Sequence, residues 1–274
     1  MMPQWTFDSP GRLTFEEVTA LNVRVVAGRL AVLASDGPAA LDVTEVDGSA
    51  LVVTQDDDGR LTVAYKDLTW DGILGWLRPG PRRTTLTLTV PRRCPVQVGV
   101  VSASAVVAGM EGITALKSVS GEVVLDGVSG EVRAETVSGS VESRELAGDL
   151  SFSSVSGDLT VAAGRPRRLR ANTVSGRVTA DLELEPTGHV SLHSMSGAIV
   201  VRLPRDVNAD VSAHSTTGRI ESAFPELYAT TMPGVRSLSG RLGGGMASLS
   251  ATTMSGAVTL LCGQPAGRRA EEEV

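Results

Sequence analysis

The sequence predicts an all-β chain: a β-solenoid-like repeat with about 18–22 residues per turn, preceded by a β-rich region that caps it or runs into it. Three observations carry this. Between about Gly112 and Gly157 a cassette returns every nine residues, ending in Ser118-Val119-Ser120-Gly121, Gly127-Val128-Ser129-Gly130, Thr136-Val137-Ser138-Gly139, Glu145-Leu146-Ala147-Gly148 and Ser154-Val155-Ser156-Gly157. Self-similarity at a fixed period marks stacked repeat architectures. The same end-motif persists at Gly176, Gly197, Gly218, Gly240 and Gly256, now at intervals of 19, 21, 21, 22 and 16 residues, about twice nine plus insertions. Composition agrees: 42% of 274 residues are apolar but only 3% aromatic, with 30 glycines, so the core must be Val, Leu, Ile and Ala on closely stacked strands.

Residues 1–100 form the N-terminal β-rich region. Alternating runs predict strands at 20–26, 29–34, 40–46, 50–55, 61–65 and 84–90, separated by Gly, Asp and Pro turns. The run Asp56-Asp57-Asp58-Gly59 reads as a solvated hairpin turn, because it lacks the alternating spacing and distal Glu of a calcium loop. The stretch from Thr69 to Arg83 is irregular and holds Trp70, Ile73, Leu74, Trp76 and Leu77 with arginines close behind. It is expected either to dock on a protein partner or a membrane surface, or to fold back over an open sheet edge.

Residues 101–263 form the repeat. Counted from each glycine, position +2 is Val123, Val132, Val141, Leu150 and Leu159, position +4 is Leu125, Ala134, Ser143, Phe152 and Val161, and position +7 is Val128, Val137, Leu146 and Val155. These three positions are expected to face in, with polar residues between them. If the nine-residue unit is half a turn, Gly121, Gly139, Gly157, Gly176, Gly197, Gly218, Gly240 and Gly256 stack as one corner column. The insertions at 164–168, 185–188 and 204–206 then bulge at the opposite corner. Glycine supplies backbone freedom and no Cβ at the bend, while Ser and Thr can bond the backbone there. An antiparallel meander with Ser-Gly hairpins is the competing account, but it leaves the doubled spacing unexplained. Residues 264–274 read as a disordered tail.

The Val-Ser-Gly series, together with the preceding Leu88-Thr89-Val90-Pro91 junction and the closing Ile220-Glu221-Ser222-Ala223-Phe224, resembles the DUF4097 β-strand-repeat family of adhesin-type, or toast-rack, domains. The resemblance covers about residues 19–261. It implies a right-handed solenoid-like fold without established catalytic residues, and a setting near cell-envelope stress proteins.

The side chains themselves suggest little chemistry. His193 and His214 each lie four residues before a column glycine, which would put them on adjacent rungs, able to bind a metal or act as a pH-sensitive pair. Their column also holds Lys117, Glu135, Ser153, Asn172 and Arg236, as an exposed polar position would. Glu122, Glu131, Asp149 and Asp158 alternate between faces and offer no paired carboxylates for glycoside chemistry. Cys94 and Cys262 have no CxxC context, and no phosphate loop is present. No metal or cofactor is expected. The net charge of −6 argues against a nucleic-acid partner. The densest basic cluster is Arg165, Arg167, Arg168 and Arg170, a candidate for steering an acidic partner.

The N-terminus lacks the basic start and apolar run of a signal peptide, so a cytoplasmic chain is expected. The functional expectation is a non-catalytic interaction or scaffold protein linked to envelope-stress regulation. The alternatives are a self-assembling, adhesin-like protein that associates through the ends of its solenoid and, with least support, a carbohydrate-active enzyme.

Overall fold

The computed structural model describes residues 3–65, 82–232 and 235–264, and the regular structure among them is entirely β-strand. It divides into two compact units, residues 1–139 and 140–274. In each, the strands form two walls, A and B, whose inward side chains make the core.

The first unit begins with β1 (Gln4–Phe7), β2 (Gly11–Phe15), β3 (Ala20–Val25), β4 (Ala27–Ser35), β5 (Ala39–Gly48), β6 (Leu51–Gln55), β7 (Arg60–Tyr65) and β8 (Arg82–Pro91). Six of these are the predicted strands to within a few residues. The alternation did not give β1 and β2, which carry two large apolar residues apiece, Trp5 with Phe7 and Leu13 with Phe15; the Trp5 and Phe15 rings meet edge to face at 5.7 Å. The unit continues with β9 (Val96–Val100), β10 (Ser104–Ala108), β11 (Thr114–Ser118), β12 (Val123–Asp126) and β13 (Glu131–Thr136).

Wall A of this unit runs β1-β6-β7-β3-β9-β11-β13 and wall B runs β2-β5-β8-β4-β10-β12. Val96, Thr114 and Val132 stack in parallel register, a step of 18 residues that is two cassettes per turn. The first rung in sequence, β3 and β4, is not at the edge: Leu21 lies between Leu61 and Val96, and Leu30 between Leu86 and Ala105. Antiparallel strands β6 and β1 close one wall and β5 and β2 the other.

The second unit comprises β14 (Val141–Arg144), β15 (Ala147–Ser154), β16 (Leu159–Thr173), β17 (Val178–Leu182), β18 (His189–Ser194), β19 (Ile199–Leu203), β20 (Ala209–Ser215), β21 (Ile220–Ser222), β22 (Tyr228–Met232), β23 (Val235–Leu242), β24 (Ala247–Thr253) and β25 (Val258–Cys262). Strand β16 passes from wall B to wall A without a break. The stretch 164–168 therefore runs inside a strand instead of bulging out, and its irregularity is two register shifts: one against β17 between Val161 and Gly164, the other against β15, where Asp149 faces Arg168 and Arg167 is the extra residue.

The C-terminal order differs from the expected column. Wall A runs β15-β16-β18-β24-β20-β23-β22 and wall B runs β14-β16-β17-β19-β25-β21. The last rung, β24 with β25, is thus inserted between two rungs that precede it in sequence. Gly256 consequently stacks between Gly197 and Gly218. Gly240 is not a corner at all: it lies within antiparallel β23 opposite Val211, with Leu238 buried beside it. His193 and His214 are not neighbours either, since Thr252 stands between them.

Positions +2 and +4 face in throughout, from Val123 and Leu125 to Leu159 and Val161. Position +7 does so only at alternate half-turns. Val128 and Leu146 are buried because the residue before each, Gly127 at φ 58° and Glu145 at φ 51°, takes a left-handed conformation that reverses the in-out parity of the chain. The half-turns ending at Gly139 and Gly157 lack that reversal, and Val137 and Val155 point to solvent.

Candidate functional site

The corner cassette is built by hydrogen bonds that follow from its sequence. Three residues before each corner glycine of the second unit sits a buried hydroxyl, and it accepts the glycine amide: Ser154 from Gly157 (2.7 Å), Thr173 from Gly176 (2.9 Å), Ser194 from Gly197 (2.8 Å), Ser215 from Gly218 (2.9 Å) and Thr253 from Gly256 (3.0 Å). The residue just before the glycine reaches back one rung. The Ser175 hydroxyl donates to the Val155 carbonyl (3.4 Å) and that of Ser196 to Val174 (3.2 Å). Glycine is required for space: a Cβ on Gly197 would lie 1.8 Å from the Gly176 carbonyl oxygen, and one on Gly256 2.0 Å from that of Gly197. At these corners it is the missing Cβ, not a left-handed backbone, that matters.

With the residues on either side held by the corner, the one between them is turned outward. Val155, Val174, Met195 and Met254 are 52%, 44%, 53% and 57% exposed and follow one another rung by rung. At the ~4.8 Å strand spacing they make an apolar ridge about 14 Å long. The cassette valine had been expected to point in. Parity contained the signal: counting in twos from Leu192 through Ser194 puts Met195 outside, whereas its hydrophobicity argues the other way.

Beside the ridge lies the outer face of wall A. Ser191, Ser250, Ser212 and Ser239 are aligned on adjacent strands, with Tyr228 completing the row on the edge strand. The next row holds His193, Thr252, His214 and Ser237. The Ser191 hydroxyl pairs with His193 Nε2 at 2.9 Å. A shallow groove between ridge and rows is lined by Asn172, Val174, His193, Met195, Thr252 and Met254.

Of the residues singled out from sequence, Trp70, Ile73, Leu74, Trp76 and Leu77 lie outside the described residues. Three of the four arginines are placed with carboxylates, and Arg170 lies beside Ser191 on wall A. Arg165 pairs with Glu183 at 2.7 Å, while Arg167 and Arg168 pair with Asp149 at 3.1 and 3.6 Å. The hydrogen bond from Arg167 holds the Asp149 carboxyl below the ordinary carboxylate range. Arg165 also lines a cleft of about 470 Å³ with Glu183, Glu185, Pro186, Pro204 and Met246, where the insertions at 185–188 and 204–206 meet. Among the described residues no group of three His, Cys, Asp or Glu side chains is arranged to hold a metal ion. No described helix is long and apolar enough to cross a membrane.

No family model and no curated protein matches the chain. Solved structures align over most of its length. A "putative lipid binding protein" from Parabacteroides distasonis has 12% identity and a TM-score of 0.49, covering 93% of this chain and 97% of its own. A "putative adhesin" from Bacteroides fragilis has 11% identity and a TM-score of 0.45 over 95% and 97%. A "putative cell adhesion protein" from Clostridium sporogenes has 12% identity and a TM-score of 0.31 over 93% and 100%.

Proposed function

We propose that this chain is a non-catalytic, adhesin-like interaction scaffold of the DUF4097 type, and that the second unit's glycine corner and adjoining wall A are its contact surface. The observation that carries the reading is the ridge of Val155, Val174, Met195 and Met254. A contiguous apolar strip held in solvent by the fold's own corner chemistry costs solubility and is typical of surfaces that meet a partner. The surrounding residues support binding over catalysis, because hydroxyls and imidazoles are spread over a flat face with no enclosed constellation of nucleophile, base and oxyanion donors. Purified protein should be retained on washed cells and envelope fractions of its source organism. Met195→Glu combined with Met254→Glu should abolish retention with an unchanged circular dichroism spectrum. Retention that is absent, or indifferent to both substitutions, overturns the proposal.

A further inference from the structure

Wall A of the second unit differs from its counterpart in the first. There β11 and β13 carry charged outward residues paired across and along strands, with Lys117 bonded to Glu135 at 3.2 Å and Arg133 to Glu131 at 2.6 Å. From β18 to β22 the two central rows carry only hydroxyls, imidazoles and one phenol, with no carboxylate, ammonium or guanidinium. Charge lies around these rows: Arg241 and Asp210 neutralise each other at 2.9 Å in the flanking row, Arg236 at the start of β23 donates to the Gly218 carbonyl, and Arg170 stands beside Ser191 at the β16 end. The hydroxyls of Ser250, Ser212, Ser239 and Thr252 make no hydrogen bond to another described residue, so their donors and acceptors face solvent uncommitted. At one end Tyr228 stands 76% exposed on the edge strand, and along one side runs the apolar ridge.

We propose that this wall binds a neutral polysaccharide laid across the strands, one sugar unit or so per rung. The proposal rests on the reading of wall A as a contact surface and names its ligand class. A neutral sugar presents hydroxyls that both donate and accept, together with C–H faces of low polarity. Serine, threonine and imidazole groups match the first property, and the Tyr228 ring and the methionines match the second. An anionic ligand would call for arginine or lysine within the rows from β18 to β22, whereas the guanidinium in line with them, Arg170, stands at their β16 end; a protein interface of ordinary kind would call for a larger apolar centre. The face is flat, so no single sugar is enclosed. Binding must come from many weak contacts repeated at the ~4.8 Å rung spacing, and affinity must rise with chain length.

The test is affinity electrophoresis of the full chain in gels containing neutral polymers (hydroxyethylcellulose, xylan, glucomannan, dextran) or anionic ones (alginate, heparin), followed by calorimetry with oligosaccharides of two to six units from whichever polymer retards it. The expected result is retardation by at least one neutral polymer, with affinity rising tenfold or more from the disaccharide to the hexasaccharide. Ser212→Arg and Tyr228→Ala, both at solvent-facing positions, should each weaken binding at least fivefold. No retardation by any neutral polymer, retardation by the anionic polymers alone, or wild-type binding by both variants overturns the proposal. Periodate treatment of the envelope fractions separates it from the broader reading. Ridge-dependent retention that survives periodate but not protease leaves the interaction scaffold standing and removes the polysaccharide; loss of ridge dependence removes the scaffold.

Discussion

Two glycines six residues apart in the first unit are required for different reasons, and alanine substitution should separate them. A Cβ on Gly121 would sit 2.0 Å from the Ala103 carbonyl oxygen, against an ordinary contact of 3.4 Å or more, so the corner must open by about 1.4 Å. That opening breaks the hydrogen bonds that pin the rung: Val119 amide to Val100 (3.1 Å), and Ser120 amide and hydroxyl to Val101 (2.8 and 3.1 Å). At roughly 1 kcal/mol each, Gly121→Ala should cost about 3 kcal/mol. Gly127 has no atom within 4 Å of its ideal Cβ but adopts φ 58°. Its substitution costs roughly 1–2 kcal/mol in conformation, offset by about 0.4–1 kcal/mol from a stiffer unfolded chain, for a net of about 1 kcal/mol. Urea denaturation followed by far-ultraviolet circular dichroism measures both. If Gly121→Ala is no more destabilising than Gly127→Ala, the close rung contact that organises the corner is refuted.

The converse substitution should help: Ala163 sits at φ 51°, and Ala163→Gly should stabilise the protein by up to about 1 kcal/mol, visible as a higher urea midpoint. The carboxyl of Asp149, held low chiefly by its bond to Arg167, contributes stability that is present above its unfolded pKa and lost as pH falls through the depressed folded value. Asp149→Asn should therefore flatten the decline in stability below pH ~4 relative to wild type, and an unchanged acid limb would contradict the assignment. Cys94 is buried, and desolvation pushes its thiol up to about 11, so in native protein at pH 8 it should resist iodoacetamide and become modified only on unfolding, as mass mapping would report.

Local alternation and turn residues were enough to give the strand content and most of the N-terminal strands, and the spacing of the cassettes was enough to give a turn of about 18–22 residues, because each rests on short-range pattern. The position of the last rung was not legible. Residues 189 and 210 are one 21-residue step apart, as are 168 and 189, so β20 could follow β18 directly, and nothing local announces that β24 comes between them. Ser237-Leu238-Ser239-Gly240 copies a corner cassette, yet pairs antiparallel with β20, since tertiary position decides whether a Ser-Gly pair bends or extends. The outward ridge was missed for a different reason. A valine or methionine in a cassette reads as core by hydrophobicity, and only the left-handed residue ahead of Val128 and Leu146 tells which half-turns bury it. That backbone conformation is announced by glycine at 127 but concealed by glutamate at 145.

The insertion of the terminal rungs has a consequence for how such a chain can change length over evolutionary time. In the first unit the earliest rung is enclosed by β7 and β8, with antiparallel strands outside both; in the second the latest is enclosed by β20 and β21, with antiparallel β23 and β22 outside β20. A duplicated cassette pair added beyond either closure would find wall A already capped by antiparallel strands, so a full turn, which needs a parallel edge on both walls, could not be joined. Duplication or loss of an 18-residue segment between rungs of uniform step would leave both closures intact. Length variation among chains of this design should therefore be written in their middles, while the terminal segments keep a fixed number of strands.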